Sequence, residues 1–171
     1  MESPRRRDDG PQSGIALLGL GGNVPWRGLF GVALYEAALA AIAHAGGEIL
    51  ARSQVRATPA WPDPSQPTYW NAAARVRFAG VDPAAALALL LGVERQFDRE
   101  RRERWAARTL DLDLLDFDGR VVAAADLELP HPRLAARRFA LEPLAEIAPD
   151  WRHPLLGVSA ADLLARLDGA P

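Results

Sequence analysis

The chain has 171 residues and a mass of 18.5 kDa, 49% of it hydrophobic and 25% charged, enough apolar material for one core. Cysteine is absent and all 20 members of the Lys+Arg count are arginine, which excludes thiolate nucleophiles, disulfides, Cys-ligated zinc, a Schiff-base lysine and a Walker-type lysine. A net charge of -2 argues against a general nucleic-acid binder, and no apolar stretch approaches the ~20 residues that span a bilayer.

Residues 1–13 (MESPRRRDDGPQS) are polar and lack an apolar h-region, so they read as a disordered arm and not as a signal peptide. A single domain over 14–171 and a cytoplasmic location follow as expectations. Ile15 to Gly21 is a short apolar run closing in glycines, the pattern of a buried strand and a tight turn. Leu29 to His44 carries apolar residues at helical spacing and stops at Gly46-Gly47. Glu48 to Ala57 and Asn71 to Phe78 have strand character, separated by the Pro-rich stretch TPAWPDPSQPTYW. Asp82-Pro83 is an N-cap with proline at the first helical position, opening a helix to about Phe97. Asp98 to Ala107 has almost no aliphatic content and reads as a mobile loop. Thr109 to Phe117 returns to strand alternation, Asp118-Gly119 reads as a hairpin turn into Val121-Val122, and Phe139 to Ala148 and Ser159 to Leu167 are short helices. The order strand, helix, strand, strand, helix, strand matches the split βαβ pattern of the ferredoxin-like α+β class, a βαββαβ sheet with two helices on one face, plus C-terminal additions.

The stretch TLDLDLL carries the most chemistry. Strand alternation points Asp111 and Asp113 the same way while Leu110, Leu112 and Leu114 pack on the other face. Two adjacent carboxylates stay ionised only beside positive charge, and Mg²⁺ with phosphate oxygens completing its shell supplies it; an exposed polar edge strand is the plainer alternative. Arg99, Arg101, Arg102, Arg104 and Arg108 precede that strand, either as a solvated charge run or as the guanidinium half of a phosphoryl-transfer clamp. No Walker sequence occurs, and Gly19, Gly21 and Gly22 read as a turn with at most a backbone role. Thr58, Pro59, Trp61, Tyr69, Trp70 and Asn71 combine flat rings with an amide suited to a heterocyclic lactam edge, although the two tryptophans read equally as a lid on the core. His131, between prolines, is a turn residue or a phosphate-side donor, whereas His44 and His153 read as surface residues.

These residues resemble the 6-hydroxymethyl-7,8-dihydropterin pyrophosphokinase family of folate biosynthesis. The resemblance is carried by LGLGGN at 18–23, the block from Thr58 to Asn71, RWAARTLDLDLL at 104–115, and LPHPRL.AR.F at 129–139. It implies a ferredoxin-like monomer acting on small molecules, without nucleic acid or membrane, that moves pyrophosphate from ATP to the pterin hydroxymethyl group with two Mg²⁺ ions. It further implies metal carboxylates at Asp111 and Asp113, transfer arginines at Arg99 and Arg108, and ATP contacts at Glu94, Arg101, His131 and Arg137. The pterin pocket falls on Thr58, Pro59, Tyr69, Asn71, Trp105 and Phe139, with Tyr69 and Phe139 sandwiching the bicycle and Asn71 reading its polar edge. Ala106-Ala107, Asp98 and Pro62 replace residues that are commonly Gly-Pro, Gly and Gly, which bears on loop closure. Two other classes share part of the pattern: a ferredoxin-like RNA-binding module using the arginines and aromatics, and a Mg²⁺-dependent nucleotidyltransferase or phosphoesterase built on the same D-x-D.

Overall fold

The computed structural model of the chain describes residues 13–60, 65, 67–99 and 108–169. The main sheet contains β1 (Gly14–Gly22), β2 (Gly47–Arg52), β3 (Arg56–Thr58), β4 (Tyr69–Phe78) and β5 (Asp111–Phe117). Its order is β2-β4-β1-β5, every pairing is antiparallel, and β3 extends the β2 edge of β4. α1 (Val32–His44) and α2 (Pro83–Gln96) lie against one face. There Leu34, Leu39, Ile42, Leu90 and Val93 meet Leu18, Leu20, Val76, Leu112 and Leu114 in the larger core. The strand after the first helix is not continuous: Ser53 leaves the ladder, its hydroxyl accepting from Ala73 N–H and its N–H donating to Ala73 O, and this separates β2 from β3.

The opposite face is also covered. α3 (Arg138–Ile147) and α4 (Ala160–Leu167) bury Leu141, Leu144, Ile147 and Leu163 against Leu17, Ala73 and Leu115. The C-terminal additions therefore form a third layer, and the sheet is sandwiched where the sequence pattern indicated helices on one face. Ser159 opens α4 with a reciprocal capping box to Asp162, and Asp82 caps α2 by accepting from Ala85 N–H.

Two local features differ from the sequence expectation. Asp118 and Gly119 do form a left-handed turn, with φ of 52° and 65°, but the chain beyond them does not pair back on β5. It builds a separate two-stranded sheet, β6 (Val122–Ala124) with β7 (Leu127–Leu129). In addition, β5 carries a bulge: Leu18 faces Leu114 and Leu17 faces Asp116, leaving Leu115 as an extra residue. Leu112 and Leu114 point to the α1/α2 core, the extra Leu115 points to the α3 side, and Phe117 returns to the α1/α2 core out of phase.

His153 is the other correction. It is 6% exposed rather than a surface residue, packed against the edge of Trp151, and burial holds its pKa below the ordinary histidine value. His44 is exposed as expected.

Candidate active site

The site begins with what β1 lacks. Gly19 and Gly21 lie inside this central strand and not in a turn, on the same face as Asp111 and Asp113. Across the sheet Asn71, Gly21 and Asp111 form one row, and Ala73, Gly19 and Asp113 the next. With two inter-strand spacings between them, Asn71 and Asp111 stand about 10 Å apart over a floor without side chains. Leu18 and Leu20 fill the other face, so the L-G-L-G alternation is a strand with one bare side.

At the β5 end of this trough Asp111 is held at both oxygens. Arg99 Nη1 lies 2.7 Å from its Oδ1 and Arg108 Nη1 2.5 Å from its Oδ2. Arg99 is also ion-paired to Glu94, which is 2% exposed and accepts from Leu112 N–H at 2.7 Å. Glu94 thus joins the last turn of α2 to β5 and backs Arg99, behind the cavity wall. Asp113 faces Arg137 at 3.4 Å. Burial and the neighbouring Asp111 raise its pKa, and His131, Arg137 and Arg99 oppose that rise. His131 is hung from β5 by its N–H to Leu115 O and accepts Arg133 N–H at Nδ1, 3.2 Å away, which leaves Nε2 as the protonated nitrogen when the ring is neutral. Burial lowers its pKa, against the pull of Asp113.

At the β4 end, Asn71 Nδ2 donates to Thr58 Oγ1 at 2.7 Å across the β3–β4 pair, and a Cβ on Gly21 would stand 3.1 Å from Asn71 Oδ1. Tyr69 starts β4 half-buried. Burial raises its phenol pKa, and it lies close enough to Arg108, Asp111 and Arg99 to feel all three charges. Phe139, 37% exposed at the start of α3, has the Arg137 guanidinium 5.5 Å from its ring centre. Pro59 is exposed beside Thr58. Trp70 turns away from these groups and packs edge-on against Phe30 with ring centres 5.4 Å apart, in keeping with a lid on the core.

A cavity of about 450 Å³ runs from the carboxylates out between α2 and the β6–β7 hairpin. Arg99, Arg108, Asp111, Asp113, His131 and Arg137 line its inner part; Leu87, Leu91, Leu127 and Arg133 line the outer part. Sequence reasoning passed over Arg133, although it follows the His131 turn by two residues. The other anticipated groups Arg101, Arg102, Arg104, Trp105, Ala106, Ala107, Trp61 and Pro62 lie outside the described residues. Asp98, in contrast, is described: it takes a left-handed φ of 56° where glycine is commoner, and its carboxylate accepts from Trp26 Nε1 at 2.8 Å.

Arginines gathered on paired carboxylates, opposite an amide and a phenol, give one sheet face the donors to bind phosphate or carboxylate oxygens at one end and hydrogen-bonding groups beside an aromatic ring at the other. Residues 17–149 match the family model of 7,8-dihydro-6-hydroxymethylpterin-pyrophosphokinase, and the chain belongs to that family. A relative from Synechocystis sp., named 2-amino-4-hydroxy-6-hydroxymethyldihydropteridine pyrophosphokinase, is 40% identical over 90% of this chain and 76% of its own length. One of the same name from Methylorubrum extorquens is 37% identical over 90% of this chain and 93% of its own. Among solved structures, Plasmodium falciparum HPPK-DHPS superimposes with a TM-score of 0.68 at 13% identity, covering 91% of this chain. This chain spans only 43% of that longer one, and the likeness shows the shared fold.

Proposed function

We propose that this site carries out its family's reaction, transfer of pyrophosphate from ATP to the hydroxymethyl group of 6-hydroxymethyl-7,8-dihydropterin, yielding AMP and the pterin diphosphate for folate biosynthesis. The observation that carries the reading is the single sheet face bearing Asp111 and its two arginines at one end and Asn71 with Thr58 at the other, across Gly19 and Gly21. Tyr69, Phe139, Thr58, Pro59 and Asn71 hold the pterin, with Trp105 added by the family resemblance. Arg137, His131 and Arg101 hold the nucleotide phosphates. Glu94, assigned to the nucleotide by the same resemblance, acts in this geometry by holding Arg99.

The acceptor is a primary alcohol attacking phosphorus, and its requirement is alignment and charge neutralisation more than a strong base. Arg99 and Arg108 supply the neutralisation. Their guanidinium groups rest on Asp111 and are placed to exchange a carboxylate oxygen for a phosphate oxygen. Asp111 and Asp113 are hard donors, and no group of three metal-binding side chains occurs among the described residues. Two carboxylates with an incomplete protein shell fit Mg²⁺ that takes its remaining oxygens from polyphosphate and water, and the family resemblance implies two ions. Bound there, Mg²⁺ would withdraw charge from the polyphosphate.

The antiparallel order β2-β4-β1-β5, with α1 and α2 as its crossovers, supports a ferredoxin-like description of the sheet. A monomeric state is taken from the family resemblance, and no helix among the described residues is long and apolar enough to cross a membrane. A cytoplasmic location is part of the same proposal. The RNA-binding alternative finds little support on a face whose central strand presents glycine in place of stacking aromatics.

Incubating the protein with MgATP and 6-hydroxymethyl-7,8-dihydropterin should release AMP and the pterin diphosphate in equal amounts. Folded protein that releases no AMP, or that releases it without a diphosphorylated acceptor, refutes the reading.

A further inference from the structure

Both backbone polar groups of Arg108 are taken by the turn that follows β1. Asn23 is 1% exposed, and its Oδ1 accepts the Arg108 N–H at 2.9 Å. The N–H groups of Asn23 and Val24 donate to the Arg108 carbonyl at 3.0 and 3.1 Å. The approach is close: a Cβ on the preceding Gly22 would stand 2.3 Å from the Thr109 carbonyl oxygen. The other end of the same side chain faces the acceptor half of the site, Nδ2 donating to Pro67 O at 3.2 Å. Pro67 stands two residues before Tyr69 and four before Asn71. One buried primary amide therefore bridges the backbone behind the transfer arginine and the segment leading into the acceptor pocket. An amide of this length has both the acceptor and the donor the bridge needs, and at this burial a lost partner is not replaced by bulk water.

We propose that Asn23 is a positioning residue for pyrophosphate transfer, fixing Arg108 against Asp111 and tying that arginine to the strand that carries Tyr69 and Asn71. The inference rests on the reading of Arg108 as a transfer arginine. Asn23 acts through the backbone of Arg108 at the donor end and through Pro67 at the acceptor end, so the two functions separate by substitution.

Steady-state kinetics in both substrates on the full chain, with a non-hydrolysable ATP analogue for binding, test it in the wild type, Asn23→Ala, Asn23→Asp, Arg108→Ala and the double variant Asn23→Ala/Arg108→Ala. Asn23→Ala should lower kcat by about 10²-fold, the scale of a misplaced reacting group, with affinity for the analogue changed by less than about threefold. In the double variant the Asn23 effect should shrink to about threefold or less, because the arginine it positions is gone; a residue that serves folding alone would multiply the two losses. Asn23→Asp keeps the oxygen that accepts from Arg108 and sets a second oxygen against Pro67 O. It should hold kcat within about fivefold and raise the acceptor KM about tenfold, and it carries the test alone if Asn23→Ala does not fold. In an active wild type, an Asn23→Ala kcat within about twofold, an undiminished loss without Arg108, or an unchanged acceptor KM in Asn23→Asp overturns the proposal. A folded wild type without turnover removes the reading of the site, and the proposal with it.

Discussion

Asp111 is gripped by two guanidinium groups that differ in what stands behind them. Arg99 meets both Asp111 and the buried Glu94 through Nη1, and the rest of its planar guanidinium keeps donors for a phosphate that a lysine point charge does not present in that geometry. Arg99→Lys should therefore lower kcat by about 10²-fold despite conserving charge, measured as AMP release at saturating substrates. Arg137 sits looser, 3.4 Å from Asp113, and Arg137→Ala should raise the ATP KM more than it lowers kcat. Removal of either carboxylate, Asp111→Ala or Asp113→Ala, should cut turnover by about 10³-fold or more while a pterin analogue still binds; near-normal rates in both would withdraw the metal assignment. The strand floor has its own test. A methyl at position 21 would crowd Asn71 Oδ1, and Gly21→Ala should raise the acceptor KM with little change in nucleotide affinity.

At the scale of elements, local chemistry written in short words was legible. Asp82-Pro83 and Ser159 mark helix starts that the structure shows with their cap bonds made. Asp82→Ala should cost about 1 kcal/mol, read as a shift in the urea midpoint. The D-x-D strand has the facing its alternation required, with Leu112 and Leu114 in the α1/α2 core and both carboxylates on the other side. What stayed hidden depends on partners distant in sequence. Gly19 and Gly21 look like a turn until β4 and β5 flank them, and the β6–β7 hairpin is too short to register as two strands. His153 is buried by Trp151 and by a layer that only the third dimension assembles. The junction of β3 and α3 gives a pH prediction. Burial would raise the Glu146 pKa, but its bonds from Arg56 Nη1 at 2.7 Å and Gln54 N–H at 2.9 Å outweigh burial and hold it below the ordinary value. That contribution is whole above the unfolded-state glutamate pKa and is lost as pH falls through the lower folded value. The urea midpoint of the wild type should accordingly drop more steeply below about pH 5 than that of Glu146→Gln, and the two should converge in stronger acid.

Over the whole molecule, the two faces of the sheet divide the labour. The α1/α2 face is a closed core, whereas the α3/α4 face supplies packing at one end of the strands and leaves the glycine trough open at the other. α3 serves both purposes: Leu141 and Leu144 bury in the core, and Phe139 with the preceding Arg137 borders the site. Leu141→Ala should cost about 2–5 kcal/mol by thermal or urea unfolding, and activity should decline before global unfolding as the helix start loosens. The extra residue at Leu115 makes this division possible within one strand. Upstream of it, odd-numbered positions of β5 belong to chemistry; downstream, the parity is reversed and Phe117 serves the core. The same seven residues in a strictly alternating ladder would have to invert either the carboxylates or the phenylalanine, whereas loss of Leu115 would keep both facings and cost only its packing on the α3 side. The bulge thus lets one strand feed both cores, with Leu115 turned to α3 between two stretches that face α1 and α2.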